Sequence, residues 1–437
     1  MKKNIVMITV DSLRNDFYNP NINEYKFLSK IKNQSTYFSN CFSLGDDTGT
    51  TFPQFLSSTY LNLIPFEKHE KRVETNRMCR IEKPRVSIAE TLKADGYNTY
   101  SYQTSPNLSP FFGYDKGFDI YEYLNPLSGS NLPFFIKYWY KPPYADAVRV
   151  ISSIEKQEFK PPFFLWVHFN DVHEPYYSLR YPKFMTDFLW SKFTSRPTYS
   201  NLSNLQINPS NSNMIKVFRK LYKDQVKYID DKLDSLFANS KQINIDEDIF
   251  VLTADHGQSL GEYNQWGHGY RVLPTRESSN VPLFISEPSQ KVGTEDRRFC
   301  STMDIVPTIL EILKMPLLEI YDGQSLRSKS ERSSALVWSN SLDFKNNLYS
   351  VRIFDEPYIF WKDDFNFKES RLFQIIDKKI AFCRDPMLKK KYESLSSKHI
   401  ESIRKKQKKY TYERDNKNTE KEVSKDVMEA LKAMGYA

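Results

Sequence analysis

Glycine and cysteine are scarce in this chain, and the scarcity is informative. Its 437 residues include 13 glycines, and neither GxGxxG nor GxxxxGK[ST] occurs among them, which excludes the glycine-cradled nucleotide sites. The 4 cysteines, Cys41, Cys79, Cys300 and Cys383, contain no CxxC pair. That spacing argues against a disulfide framework and against a cysteine zinc site, and fits thiols in a reducing compartment. Long apolar runs are missing too. Lys2 and Lys3 precede the apolar run Ile5 to Val10 as a secretory leader would, but Asp11 interrupts it and no small-residue cleavage site follows. No window reaches the roughly 18 apolar residues of a membrane helix. The expectation is a soluble, cytoplasmic protein, peripheral to a membrane at most.

What is present is a globular composition. Hydrophobic residues make up 40% and aromatics 15%, too many for a disordered or collagen-like chain. A chain of this length buries about three quarters of its unfolded surface and needs no covalent staple. The formal net charge is +8, and residues 384–437 carry 15 Lys or Arg against 9 Asp or Glu, so most of the excess lies in the tail. Its densest stretch, Arg404 to Lys409, reads either as a solvated helical face or as a contact for anionic membrane lipid or acidic glycan. Nucleic acid is the weakest of the candidate partners, because no nucleic-acid-binding motif accompanies the charge.

Three segments share one design. Ile5 to Val10 ends in Asp11. Phe163 to Phe169 is followed by Asn170, Asp171 and His173. Ile249 to Thr253 is followed by Asp255 and His256. Continuous apolar, β-branched or aromatic runs are the pattern of strands buried on both faces of a parallel sheet. In open α/β sheets the ligand site lies outside the carboxyl ends of the strands, so three strands would deliver Asp and His to one edge. Between them, Ser87 to Glu90 is a capping box opening a helix that runs to about Asp95, and Asn98 to Tyr102 reads as the next strand. Met214 to Phe237 is a long amphipathic helix, and Asp304 to Leu313 a short one with Pro307 in its first turn. Ala335 to Trp338, Tyr349 to Ile353, Tyr358 to Trp361 and Arg371 to Ile376 read as a small antiparallel sheet. The organisation expected is a catalytic domain over 1–329, with an insertion at 178–213, and a C-terminal subdomain over 330–437 ending in a basic helical tail.

Asp46 to Leu56 places Thr51 where a helix N-cap belongs, with Pro53 in the first turn. Thr51 reads either as a plain cap or as a nucleophile. Threonine reacts poorly at neutral pH and needs a neighbouring metal to ionise. Asp11, Asp255 and His256 could supply that metal site, and two carboxylates with an imidazole suit Mn²⁺ or Zn²⁺ better than Ca²⁺, which stays open. His69, His168 and His399 read as structural.

At this point the chain resembles a known family. Asn4 to Arg14, Thr253 to Glu262, Trp266 to Gly269, Asn280 to Leu283, Asp171 to Pro175, Thr302 to Thr308 and Leu431 to Tyr436 are similar, in order, to the motifs of the sulfatase branch of the alkaline phosphatase superfamily. The resemblance implies an α/β sandwich, with a large mainly parallel central sheet covered by helices and a small C-terminal antiparallel sheet. It implies that Asp11, Thr51, Asp255 and His256 bind a divalent metal. His173 and His268 would bind the substrate's anionic group or protonate the leaving oxygen, and Arg14 would help neutralise that group or form a plain salt bridge. The chain departs from the family at three places. Thr51-Phe52-Pro53-Gln54-Phe55 stands where sulfatases have Cys-x-Pro-x-Arg, and threonine, with a methyl on its β-carbon, cannot be oxidised to formylglycine. Ser12 stands where a second Asp is usual, and Tyr263 where the family has a His. Asp, Thr, Asp and His about one metal is more similar to lipoteichoic acid synthases and phosphoethanolamine transferases.

The expected function is therefore metal-dependent hydrolysis of a phosphate or sulfate ester through a threonine intermediate, with phosphorus preferred. The substrate would be an anionic ester, with a glycan-linked one among the candidates. One alternative is a phosphoryl-group transferase that modifies a surface glycan or its precursor. A second is a catalytically inactive binding module. A two-metal site would need three more ligands, for which Asp171, His173 and His268 are candidates. The segments Ser178 to Asn213 and Phe134 to Tyr144 are expected to shape the substrate pocket.

Overall fold

The structure is a computed structural model of the 437-residue chain. It describes residues 2–60, 63, 80–124, 147–174, 176, 212–269, 275–288, 290–328, 332, 334–340, 349–355, 357–363, 370–377, 379–410 and 427–428. The expected pocket segment Phe134 to Tyr144, nearly all of the Ser178 to Asn213 insertion, Cys79, His69 and the closing Leu431 to Tyr436 lie outside the described residues.

The apolar runs become strands of one large sheet. We label its strands β1 (Ile5–Val10), β2 (Thr36–Phe38), β3 (Asn98–Gln103), β4 (Ile120–Tyr123), β5 (Phe163–Phe169), β6 (Ile249–Ala254), β7 (Leu283–Ser286) and β8 (Thr294–Asp296). Their spatial order is β8-β2-β7-β6-β1-β5-β3-β4. Strands β6, β1, β5, β3 and β4 run parallel, while β7 is antiparallel to both its neighbours, β6 and β2. Every residue of β1, β5 and β6 is buried, so the sheet is covered on both faces, as continuous apolar runs require. The register brings Val10, Phe169 and Ala254 level with one another. Asp11, Asn170 and Asp255, each the next residue, therefore leave the sheet at one edge.

Helices α1 (Lys26–Ile31), α2 (Thr48–Ser57), α3 (Ile88–Ala94), α4 (Ala147–Lys156), α5 (Ser212–Asn239), α6 (Ile305–Ile312) and α7 (Pro386–Lys409) fill the connections. The capping box forms as its sequence predicts. Glu90 N donates to Ser87 Oγ, and Ser87 N donates to the Glu90 carboxylate. The periodic face of α5, including Phe218, Tyr222, Val226, Ile229, Leu233 and Leu236, is buried in the core. Helix α1 has no cap of its own. Asp230 of α5 does that work from across the interface, accepting from Phe27 N at 3.1 Å, Leu28 N at 3.0 Å and Tyr18 Oη at 2.6 Å. Asp230→Ala would strand three buried donors and is expected to destabilise the fold by about 3 kcal/mol. Urea unfolding monitored by circular dichroism checks this.

The C-terminal sheet has five antiparallel strands in sequence order, β9 (Ala335–Asn340), β10 (Tyr349–Asp355), β11 (Tyr358–Asp363), β12 (Ser370–Ile376) and β13 (Lys379–Phe382). The last was not expected from the sequence. Ala335, Ile359, Trp361 and Phe373 pack with Phe42 from the N-terminal part of the chain. The basic helix α7 lies partly against the protein. Lys406 Nζ donates to Ile320 O, Tyr321 O and Asp322, and Lys409 pairs with Glu319. Cys41 and Cys300, far apart in sequence, are register partners in a short parallel bridge. Among the described residues, no helix is long and apolar enough to cross a membrane.

Candidate metal and ester site

The chain turns sharply after β1. Ser12 adopts φ 60°, a left-handed conformation costly for serine. The turn lets Ser12 N donate to Asp255 Oδ1 at 3.1 Å, while Ser12 Oγ donates to Asp11 Oδ1 at 2.8 Å. Asp255 Oδ1 also accepts from His256 N at 2.8 Å. One oxygen of Asp255 is thus saturated, and the other, Oδ2, is buried without a hydrogen-bonding partner.

Asp11 is fully buried. Its Oδ2 accepts from Asn170 Nδ2 at 3.0 Å and from Thr48 Oγ1 at 3.4 Å. Asn170 is itself oriented by Thr104 Oγ1, which donates to its Oδ1 at 2.8 Å. His256 Nε2 lies 3.7 Å from Asp11 Oδ1 and 3.4 Å from Asp255 Oδ2. These separations are too long for good hydrogen bonds. They match the edge of a tetrahedron of ligands held about 2.1 Å from one ion, which is about 3.4 Å. The His256 Nδ1 atom is 2.8 Å from Gly257 O. A carbonyl oxygen can only accept, so Nδ1 carries the proton and Nε2 presents its lone pair to the carboxylates.

Electrostatics agree with geometry. Burial works against the Asp11 charge, but His173, His168 and His256 overcome it and hold the carboxyl far below the usual range. Burial and the neighbouring Asp11 push Asp255 up. His256 is pushed up by Asp255 and Asp11 in spite of its burial. Two buried carboxylates that repel each other beside orphaned donors fit a divalent cation. Asp11, His168 and Asp255 bring one donor atom each within 4.8 Å of one another.

The hydroxyl positions are on α2. Its N-cap is Asp47, whose side chain accepts from Thr50 N, so the cap lies four residues earlier than the Thr51 expected from the sequence. The helix begins earlier because Asp47 outcompetes a threonine as cap and Thr51 N is already bonded to Asp47 O. Thr51 is fully buried, and its Oγ1 has no hydrogen-bonding partner. It faces Gly45, where an added Cβ would stand 2.8 Å from Thr51 Oγ1. Thr48, one turn earlier, is the threonine in contact with Asp11. Phe52, between these turns and the sheet, packs edge-on to His168 at 5.0 Å between ring centroids and against Trp166 at 5.3 Å. Phe55, at the position of the family's arginine, is buried and stacks on Phe52.

Three histidine rings are in contact at the site, one pair tilted and the other edge-on. His256 and His268 are 4.3 Å apart, and His268 and His173 5.0 Å. His268 Nδ1 bonds to Gln258 Oε1, and Gln258 Nε2 donates to Glu174. Burial, together with His256 and His173, keeps His268 neutral well below the usual histidine range. Arg14 is fully engaged. Its guanidinium donates to Asp16, to Gln258 O and to Glu262, which makes it a brace for the Gln258 to Glu262 segment. Asp171 Oδ1 accepts from Ala147 N at 3.0 Å and so holds the start of α4.

His168, expected to be structural, faces Asp11; Asn170, expected only at the end of its strand, bonds Asp11; and Thr48 and Asp47 are not among the expected site residues. A histidine inside an otherwise apolar buried strand, two residues before the strand's polar end, was the signal available for His168. Thr48 carried no such mark.

Comparison with known proteins places this arrangement in a family. Residues 3–315 match the sulfatase family model, and the chain belongs to that family. Among curated relatives it is 24% identical over 231 residues to an arylsulfatase of Clostridium perfringens, covering 49% of this chain and 46% of that protein. The chain spans less than half the length of the curated relatives first matched. Among solved structures, the phosphonate monoester hydrolase of Silicibacter pomeroyi superposes with a TM-score of 0.70 at 15% identity, covering 93% of this chain and 96% of that one. A structure in complex with its substrate D-glucosamine-2-N,6-O-disulfate superposes with a TM-score of 0.63 at 15% identity, covering 97% and 100%. The mixed α/β fold with a mostly parallel central sheet is thus that of sulfatases and alkaline phosphatase relatives.

Proposed function

We propose that the protein is a metal-dependent hydrolase of phosphate or sulfate esters that works through a threonine nucleophile. The observation that carries this reading is a pair of buried ligand atoms lacking hydrogen bonds, Asp255 Oδ2 and His256 Nε2, set beside the ionised Asp11, with Thr51 Oγ1 on α2 likewise buried and unpartnered. Asp11, Asp255, His256 and Thr51 would hold the ion, with Mn²⁺ or Zn²⁺ favoured by the imidazole. Held there, the ion would supply Lewis-acid charge that favours ionisation of the hydroxyl and offsets negative charge on the ester.

The chain's own residues do the rest. Thr51 Oγ1, having given its proton to water, forms a bond to phosphorus or sulfur as the ester bond on the far side breaks. His173 and His268 hold the proton that the departing oxygen takes. An anionic ester beside His268 favours its protonated form against the burial that keeps it neutral. Water then releases the covalent intermediate. Phosphorus is favoured over sulfur because Thr51 cannot become formylglycine and Phe55 brings no cation. An anionic ester joined to a sugar suits a chain whose structural neighbour above was captured with a sulfated glucosamine.

Thr48 is a second candidate nucleophile, favoured by its contact with Asp11.

The test is a panel of aryl phosphate mono- and diesters and an aryl sulfate, assayed after chelation and again with Mn²⁺, Zn²⁺ or Ca²⁺ restored. Turnover of a phosphate ester that returns only with metal is the expected result. Turnover of sulfate alone would reverse the choice of phosphorus. Binding without turnover of any ester would point instead to a transferase that needs an acceptor or to a binding module.

A further inference from the structure

Ser12 stands where the family resemblance implies a second carboxylate; its hydroxyl donates to Asp11 Oδ1, while a buried histidine of the central sheet faces Asp11 Oδ2. His168 lies near the end of β5, in register with Thr9 of β1. It is fully buried, and its Nε2 has no hydrogen-bonding partner. That nitrogen is 3.7 Å from Asp11 Oδ2. The separation is again long for a hydrogen bond and about right for two donors sharing an ion.

The other ring nitrogen reports the tautomer. His168 Nδ1 is 3.0 Å from Thr9 Oγ1. The same hydroxyl donates to Val167 O at 3.2 Å and accepts from Trp166 Nε1 at 3.0 Å. A hydroxyl has one proton and two lone pairs. Its proton serves Val167 O, so both lone pairs accept, one from Trp166 and one from His168. Nδ1 therefore carries the ring proton, and Nε2 presents a lone pair towards Asp11. In the other tautomer the Thr9 proton would turn to Nδ1, Val167 O would lose this donor, and Nε2–H would face Asp11 Oδ2 at 3.7 Å, too long for a good hydrogen bond. That tautomer pairs the buried Nε2–H less well than the first pairs Nδ1–H. Fixing one nitrogen so that the other can ligate is the usual outer support of a metal-binding histidine.

We propose that His168 is a ligand of the metal held by Asp11 and Asp255, supplying through Nε2 the donor lost at Ser12, with Thr9 as its positioning residue. This deepens the metal reading given above and rests on it. Replacing a hard carboxylate by an imidazole shifts preference from Ca²⁺ towards Zn²⁺ or Mn²⁺.

Pulsed EPR on the Mn²⁺-loaded wild-type chain, with ¹⁵N-labelled histidine as the comparison, counts imidazole nitrogens on the ion without any substitution. Coupling from two imidazoles, His168 and His256, is expected. Coupling from one overturns the proposal and leaves the metal site standing. No bound Mn²⁺ in the wild type overturns both. Calorimetric Zn²⁺ titration of His168→Gln gives an independent check. Affinity should fall by roughly 100-fold, against roughly tenfold for Thr9→Val, with Ca²⁺ binding affected least. A His168→Gln chain that melts lower yet binds Zn²⁺ as the wild type does would make His168 a structural residue only.

Discussion

Thr51→Ala is expected to abolish ester turnover, by about 10⁴-fold or more in kcat, while Thr48→Ala lowers it by only about 10- to 100-fold. Both threonines are buried on α2, and the two side chains differ in how they are held. Thr48 Oγ1 already donates to Asp11 Oδ2, so its proton is spent on orienting a ligand. Thr51 Oγ1 has no hydrogen bond to lose, and a buried hydroxyl left unsatisfied costs about 1–3 kcal/mol. Such a cost persists where the group works with a bound species. Thr51→Ser keeps the hydroxyl and should retain activity within about tenfold. Steady-state kinetics with an aryl phosphate, together with mass spectrometry of the quenched protein for a covalent phosphoryl adduct, decide between the two positions. An adduct on Thr48, or full activity in Thr51→Ala, would transfer the nucleophile to the earlier turn.

Asp11→Asn should remove both tight metal binding and turnover, the latter by about 10³-fold or more. The residue accepts from Ser12 Oγ, Asn170 Nδ2 and Thr48 Oγ1. An asparagine would turn an amide N–H₂ towards one or more of these donors as well as losing the charge. Metal binding stabilises a folded protein by about 2.7 kcal/mol at a hundredfold excess over Kd. Wild-type protein should therefore melt higher when Zn²⁺ or Mn²⁺ is added, and Asp11→Asn should not respond. Thermal denaturation with and without metal reads this directly. An unchanged metal response in Asp11→Asn would mean that the orphaned donors serve something other than a cation.

The sheet and its functional edge were legible because each rested on a strong local pattern. Ile5 to Val10 and Phe163 to Phe169 gave their strand limits without error, since an uninterrupted apolar run bounded by a charge has few alternatives. The capping box and α5 were equally readable. Strand β7 was not, because four buried residues after Pro282 carry no period long enough to distinguish strand from helix. Its antiparallel direction depends on partners distant in sequence. The N-cap of α2 differs from the Thr51 expected because two aspartates precede three threonines, and Asp47, whose side chain accepts from Thr50 N, is the stronger cap. His168 was passed over for a related reason. A buried histidine gains meaning from the partners of its two nitrogens, and here Thr9 and Asp11 come from a neighbouring strand.

The links between the two sheets bear on how far the chain can be divided. Helix α2 packs against both β9 and the turn at Thr302–Asp304. Asp304 is paired with Arg332, Phe299 bridges to Arg332, and Phe42, just upstream of α2, is enclosed by Trp361 and Phe373. The smaller sheet is thus a back wall for the helix that carries both candidate nucleophiles. Cutting the chain between residues 329 and 334 would leave an intact parallel sheet with its carboxylates in place but with the threonine helix unsupported on one side. The resulting fragment would keep its carboxylate and imidazole ligands and lose alignment of its hydroxyls, so modular exchange of the C-terminal sheet between relatives would alter catalytic rate more than metal affinity.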